Sequence, residues 1–462
     1  MPDSPWPGDA CSLVEAFRRG DRSPVEELEA TLAAVESSEL NAFCHLDAER
    51  ARAAARAADV TLPFGGVPLG VKELDRVTGW PATEASVPLA GRRSDHTATY
   101  VSRLQDGGAV PVGLTTASEF GGLNVSVSRL HGITTNPWDR SRTVGGSSGG
   151  SAAAVVGGLV PLATASDGGG SIRIPAGFTG LVGLKGTAGR IPRGPRMVVG
   201  PLTVVLGCLS RSVRDIARFY DVTSGFDGRD PYSLPRVEGW EAGLGSQELA
   251  GRRVAVSADL GVAVVRPEVA SLVEEAAVWL AGAAGMTVVD AEMRVPAVGL
   301  EWALSNLASL RAELGDLYPS CADQLTTEIA MGLQVASHAY DLEMAARVEA
   351  ARTAANEAVA DLFDHVDLVM AATNPDVAFP AECALNTLVG GKVVGPENNG
   401  ALTIPANMCG HPAISIPIGT VDGLPVGLQV IGRHHDDALL LDLALLAERE
   451  RPWPQVAPGA PW

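Results

Sequence analysis

The residues best suited to chemistry lie in one sparsely charged stretch, TVGGSSGGSAAAVVGGLVPLATASDGGGSIRIPAGFTG, residues 143–180. Two Gly/Ser clusters within it are separated by 24 residues, Ser147 to Ser171. The second, Asp167-Gly168-Gly169-Gly170-Ser171, follows an apolar run that reads as a strand. Glycine there permits backbone conformations closed to other residues. It also leaves N–H groups free to face an anion. A serine hydroxyl at the end of such a turn can attack a carbonyl while neighbouring N–H groups hold the oxyanion. A phosphate-binding loop is the competing reading, and it fails. No G-x4-G-K-[ST] occurs, because Gly390-Gly391-Lys392 is followed by Val393. No dinucleotide G-x-G-x-x-G joins a strand to a helix.

A serine nucleophile needs a base. The histidines are His45, His96, His131, His338, His365, His411, His434 and His435. The lysines are only Lys72, Lys185 and Lys392. Lys72 ends the apolar run GVPLGVKEL; burial there would lower its pKa and leave a neutral amine able to take a proton. Residue types alone leave both kinds of base open.

These groups must be held by surrounding elements. Residues 24–59 alternate apolar and charged positions at helical spacing, and Ser23, Pro24 and Glu26 form a helix-start signature. Strands are expected at 65–74, 109–120, 159–169, 252–261, 366–375, 412–419 and 426–432. Helices are expected at 267–285 and 436–450. The alternation indicates an α/β architecture. One domain over 1–462 is expected, with an N-terminal helical segment at 1–60, core motifs at 61–240 and a helical cap at 295–360.

Composition narrows the function classes. The 462 residues carry 35 Lys plus Arg against 54 Asp plus Glu, a net charge of −19. That balance argues against a basic nucleic-acid-binding face and against docking on anionic membranes. Cys11, Cys44, Cys208, Cys321, Cys383 and Cys409 are scattered without metal-ligand spacing, so no metal is expected and reduced thiols in a cytoplasmic protein are. The opening MPDSPWPGDA has no apolar core of a signal peptide.

GVPLGVKE (66–73), TTNPWD (134–139), GGSSGGSAAA (145–154), SDGGGSIRIPAG (166–177), GLKGT (183–187), PAISIPIG (412–419) and GLPVGLQVIG (423–432) together resemble the amidase signature family. The resemblance runs in order along nearly the whole chain. It implies a large mixed, mostly parallel β-sheet core flanked by helices on both faces, and a serine–cis-serine–lysine triad. By motif position Ser171 matches the nucleophile, Ser147 the bridging serine after a cis bond, and Lys72 the base. Backbone N–H groups of Gly168, Gly169, Gly170 and Ser171 would form the oxyanion hole; Ser148, Asp167 and Arg173 would support it. Gly121 and Gly122 fall where substrate would bind.

The implied activity is hydrolysis of an amide through a serine acyl-enzyme, without a cofactor. The expected partner set is a small-molecule amide, no nucleic acid, no membrane and a possible homodimer. The alternative is the A-type subunit of a glutamine-dependent amidotransferase. EFGGLNVSVSRLHG (119–132) departs from that subunit's E-F-A-M-G-S-x-x-E-N pattern. Gly168, Gly186 and Ala372 also depart from the family's common residues.

Overall fold

The computed structural model describes residues 4–197, 202–293, 295–458 and 460. Its strands are β1 (Phe43–Leu46), β2 (Pro68–Lys72), β3 (Val110–Thr115), β4 (Leu162–Asp167), β5 (Gly183–Lys185), β6 (Val205–Ser210), β7 (Arg253–Val256), β8 (Thr287–Val288), β9 (Leu368–Ala372), β10 (Ala413–Val421) and β11 (Leu424–Gly432), besides short two-stranded ribbons. One sheet has the order β1-β3-β2-β4-β6, the other β8-β7-β9-β11-β10-β5. An isolated antiparallel bridge, Val182 to Ser210, joins their edges.

The α/β, mixed-sheet expectation holds. Parallel pairing is confined to β3–β2–β4 and to β8–β7–β9. The other neighbours are antiparallel, so the core is more evenly mixed than the mostly parallel sheet expected. The cause is local at β10 and β11. Only Asp422 and Gly423 separate them, both with positive φ (53° and 77°), and so short a connection allows only a hairpin.

Residues of β2 are all buried, as suits a strand with parallel neighbours on each side. Its end therefore delivers Lys72 into the interior rather than to solvent. The helix-start signature at Ser23 is realised: Ser23 Oγ accepts from the Glu26 N–H at 3.2 Å, and Glu26 Oε2 accepts from the Ser23 N–H at 2.8 Å. The helix covers Pro24–Ser37, not the whole periodic run. Asn41 turns the chain with φ 53°, β1 pairs with β3, and a new helix, Ala48–Arg56, starts at the Asp47 cap. Phe43 to Leu46 are apolar enough for either state; pairing with β3 decides.

The interval 295–360 is largely helical, with Gly299–Leu314, Thr327–Ala339 and the start of Leu342–His365. Leu310, Leu314, Leu325, Ile329 and Leu333 bury one another there, with Phe120 and Leu123 packed against them. This layer thus touches the segment that carries Gly121 and Gly122. Among the described residues no helix is long and apolar enough to cross a membrane.

Candidate active site

Lys72 is fully buried at the end of β2. Its Nζ donates to Ser147 Oγ at 2.9 Å and to Ser166 Oγ at 2.9 Å. Neighbouring β4 fixes the backbone: the Lys72 N–H donates to Thr164 Oγ1 at 2.8 Å, and that hydroxyl donates to Asp75 Oδ2 at 2.7 Å. Burial pushes the ammonium down to about 8, against the opposing pull of the Asp75 and Asp167 carboxylates. A sizeable neutral fraction is then present near neutral pH.

Lys185 is the instructive comparison. Burial, reinforced by the Arg173 charge, pushes it down further, to about 7. Its Nζ donates to the Gly186 carbonyl at 3.0 Å. Acidity alone would select Lys185; hydrogen-bond geometry selects Lys72. Among the described residues no histidine hydrogen-bonds to Ser147 or Ser171: His131 faces Glu73, His411 and His434 face carbonyls, and His435 faces Arg190.

Ser147 stands just before the helix Gly149–Val156, and the Gly146–Ser147 peptide bond is cis. Gly146 has no room for a side chain, because a Cβ would lie 2.5 Å from the Val125 carbonyl oxygen. Ser148 is wholly buried and ties this turn to β4, donating to the Ser166 carbonyl at 3.2 Å. Ser151 does the same one turn later, donating to the Thr164 carbonyl at 2.8 Å.

Ser171 lies in the loop between β4 and the helix Arg173–Thr179, with 7% of its surface exposed. Asp167 organises that loop. Its carboxylate accepts from the N–H groups of Gly170 (2.7 Å), Ile172 (3.2 Å) and Arg173 (3.4 Å). It also pairs with the Arg173 guanidinium through Nε–Oδ2 at 3.0 Å and Nη2–Oδ1 at 2.9 Å, both side chains being fully buried. Burial alone would raise the Asp167 pKa; the Arg173 charge and hydrogen bonds from Arg173 and Asn407 outweigh it and hold the carboxyl far below its ordinary range.

One expectation is corrected here. The Gly170 N–H, assigned to the oxyanion hole, is engaged by Asp167 and holds the loop instead. Its φ of 130° is one that favours glycine, and a Cβ would meet Ile174 and Thr403 at 2.5 Å. The N–H groups of Gly168, Gly169 and Ser171 make no hydrogen bond among the described residues. Nor does the Ser171 hydroxyl, so the Ser147-to-Ser171 link is open in this structure while the Lys72-to-Ser147 link is closed. Catalytic hydrogen bonds often close only around substrate.

Gly121 adjoins the site: a Cβ there would lie 3.4 Å from Ser147 Oγ. Gly122 does not; it backs onto Ile329, 2.6 Å from where its Cβ would sit. Glu119 anchors this turn, accepting from Ser86 Oγ at 2.6 Å and from the N–H and Oγ1 of Thr326 at 2.7 Å each.

Several contributors escaped the sequence reading. Trp302 Nε1 donates to the Gly168 carbonyl at 2.7 Å, and its ring covers Gly169. Thr403 Oγ1 donates to the Gly169 carbonyl at 2.6 Å. Arg173 is further held by Gln429 Oε1 and Asn407 Oδ1, at 2.6 Å each. Ser166 completes the surroundings of the Lys72 amine. Of these only Gln429 and Ser166 lie in matched motifs, GLPVGLQVIG and SDGGGSIRIPAG.

The family model described as Amidase matches residues 26–441. The A-type subunit of glutamyl-tRNA(Gln) amidotransferase from Chloroflexus aggregans is 34% identical over 474 residues, covering 95% of each chain. A bacterial aryl acylamidase of the amidase signature family superposes with a TM-score of 0.89 at 27% identity, covering 97% of each chain. The corresponding glutamyl-tRNA(Gln) amidotransferase subunit of Thermotoga maritima superposes with a TM-score of 0.79 at 25% identity, covering 98% of this chain and 97% of that one.

These relatives overturn the expected partner set of a small-molecule amide without nucleic acid. By name the Chloroflexus protein is one subunit of an enzyme that serves a tRNA. The net charge of −19 misled because it describes one chain's surface. One member of an assembly need not hold the phosphate backbone itself.

Proposed function

This chain belongs to the amidase signature family of carbon–nitrogen-cleaving enzymes, and on that premise we propose that it is the amide-cleaving subunit of a glutamine-dependent amidotransferase. The supporting observation is its 34% identity to such a subunit over 95% of both chains. The reaction would run in the cytoplasm, where tRNA is charged.

In the proposed mechanism neutral Lys72 takes the Ser147 proton while Ser147 takes that of Ser171. Ser171 Oγ attacks the glutamine side-chain carbonyl and forms the C–O bond. The oxyanion is met by the N–H groups of Gly168, Gly169 and Ser171. The proton held by Lys72 returns through Ser147 to the nitrogen as the C–N bond breaks. Ammonia leaves for a partner protein, and water then releases glutamate from Ser171. Asp167 and Arg173 keep the loop in shape and touch no reacting atom.

The test is glutamine hydrolysis by the purified chain, alone and with its co-purifying partner and glutamyl-tRNA. Glutamate and ammonia formed in equal amounts, and faster with the partner and tRNA, support the reading. A second reading, amide hydrolysis without a partner, is favoured by the TM-score of 0.89 to the aryl acylamidase against 0.79 to the Thermotoga protein. Trp302 over Gly169 also offers an apolar wall beside the nucleophile loop. Inertness toward glutamine together with turnover of an anilide would favour it.

A further inference from the structure

We propose that Cys44, Glu73 and His131 form a binding site for a zinc-type divalent transition-metal ion, outside the Ser–Ser–Lys cluster. Their ligand atoms all lie within 4.8 Å of one another. Spacing along the chain conceals this, the residues being 29 and 58 positions apart. The fold assembles them. Cys44 comes from β1, Glu73 follows β2, and β3 lies between and pairs with both. His131 comes from the tip joining the ribbon strands Val127–Ser128 and Gly132–Ile133.

The donor set is a thiol, a carboxylate and an imidazole. Zinc accepts all three, and three protein ligands leave one tetrahedral position for water. Glu73 supplies the second observation. It is 1% exposed, and its Oε2 is buried with no hydrogen-bond partner. A carboxylate oxygen so placed lacks the compensation that buried polar groups require. Its Oε1 is fixed by Thr83 Oγ1, by the Ala85 N–H at 3.1 Å and by His131 Nε2 at 2.8 Å.

The imidazole is held as firmly. The His131 N–H donates to Ser128 Oγ at 3.0 Å, and Asn41 Nδ2 donates to the carbonyls of His131 and Ile133 at 2.7 and 3.1 Å. Cys44 and His131 are only half-buried, so an ion and its water can enter from solvent. Burial, and then the Glu73 charge, push the Cys44 thiol well up, so the metal-free group is protonated. On binding, Cys44 loses that proton to solvent and its sulfur electron pair forms the bond to the ion; no electron is transferred. Zinc bonds of about 2.0–2.3 Å require the ligand atoms to draw to roughly 3.3–3.8 Å apart, which side-chain rotation supplies. The bound ion would fasten the 119–132 segment, with Gly121 beside Ser147, to the sheet edge.

The test uses the full chain stripped with a chelator and titrated with Co2+, then competed with Zn2+. The expected result is one ion per chain, tetrahedral visible absorption with a sulfur-to-cobalt charge-transfer band, and a rise in melting temperature. Cys44→Ser should abolish the charge-transfer band, and His131→Gln should weaken binding at least tenfold. Metal-free melting curves of each variant establish that it is folded. Absence of one-to-one binding, or a band that persists in folded Cys44→Ser, overturns the proposal.

Discussion

Lys72 Nζ stands 2.9 Å from Ser147 Oγ, and no part of the lysine reaches water. In the proposed relay the serine side chain links a desolvated amine to the glycine loop. An amine in that position serves as a base only when neutral, and the acidity caused by its burial makes neutrality accessible. Replacing it by Lys72→Ala should lower kcat/KM for amide cleavage roughly 10³-fold or more, as loss of one member of a concerted set does. Steady-state kinetics on the folded variant check this.

The pH profile carries a sign. In the proposed mechanism neutral Lys72 is the active form, so turnover should fall about tenfold per pH unit below the lysine's pKa of about 8 and level off above it. A kcat/KM profile over the range in which the fold is intact measures this. A profile that falls as pH rises through the same window would remove Lys72 as the base.

Asp167 and Arg173 are a buried pair whose separation leaves a charge without its partner. Asp167→Asn or Arg173→Met should cost about 3–5 kcal/mol of unfolding free energy. Chemical denaturation reads this directly. The double variant Asp167→Asn, Arg173→Met should lose less than the sum of the two single changes.

Trp302 acts through the Gly168 carbonyl. Trp302→Phe keeps a ring over Gly169 and removes the 2.7 Å hydrogen bond. A bond of that kind is worth about 1 kcal/mol, so kcat/KM should fall roughly five- to tenfold with little change in melting temperature. Trp302→Ala also removes the apolar wall and should raise KM in addition.

Much of the candidate site's local arrangement was legible because the motifs are local. The strands before Lys72 and Asp167 are short apolar runs, and each ends at a residue of the candidate site. Folding the two Gly/Ser clusters together needs only one helix and one strand between them. What stayed hidden depends on distant chain. Asn407, Thr403 and Trp302 reach the Asp167–Ser171 loop, and Gln429 reaches Arg173 beside it, from more than a hundred residues away, with no spacing to mark them. The Gly170 N–H was assigned to the oxyanion hole and instead meets Asp167, because the sequence does not say whether an amide faces substrate or the aspartate three residues earlier. Cys44, Glu73 and His131 meet only through the pairing of β1 and β2 with β3. Composition failed on partners for a related reason: net charge averages one chain's surface and says nothing of an assembly.

In the proposed mechanism Ser171 is the nucleophile, served by Lys72 through Ser147. Its most direct test is intact-mass spectrometry after treatment with a fluorophosphonate, followed by peptide mapping. The expected result is one adduct, on Ser171, absent in Ser171→Ala and formed far more slowly in Lys72→Ala. An adduct that maps to another residue, or persists in Ser171→Ala, would contradict it.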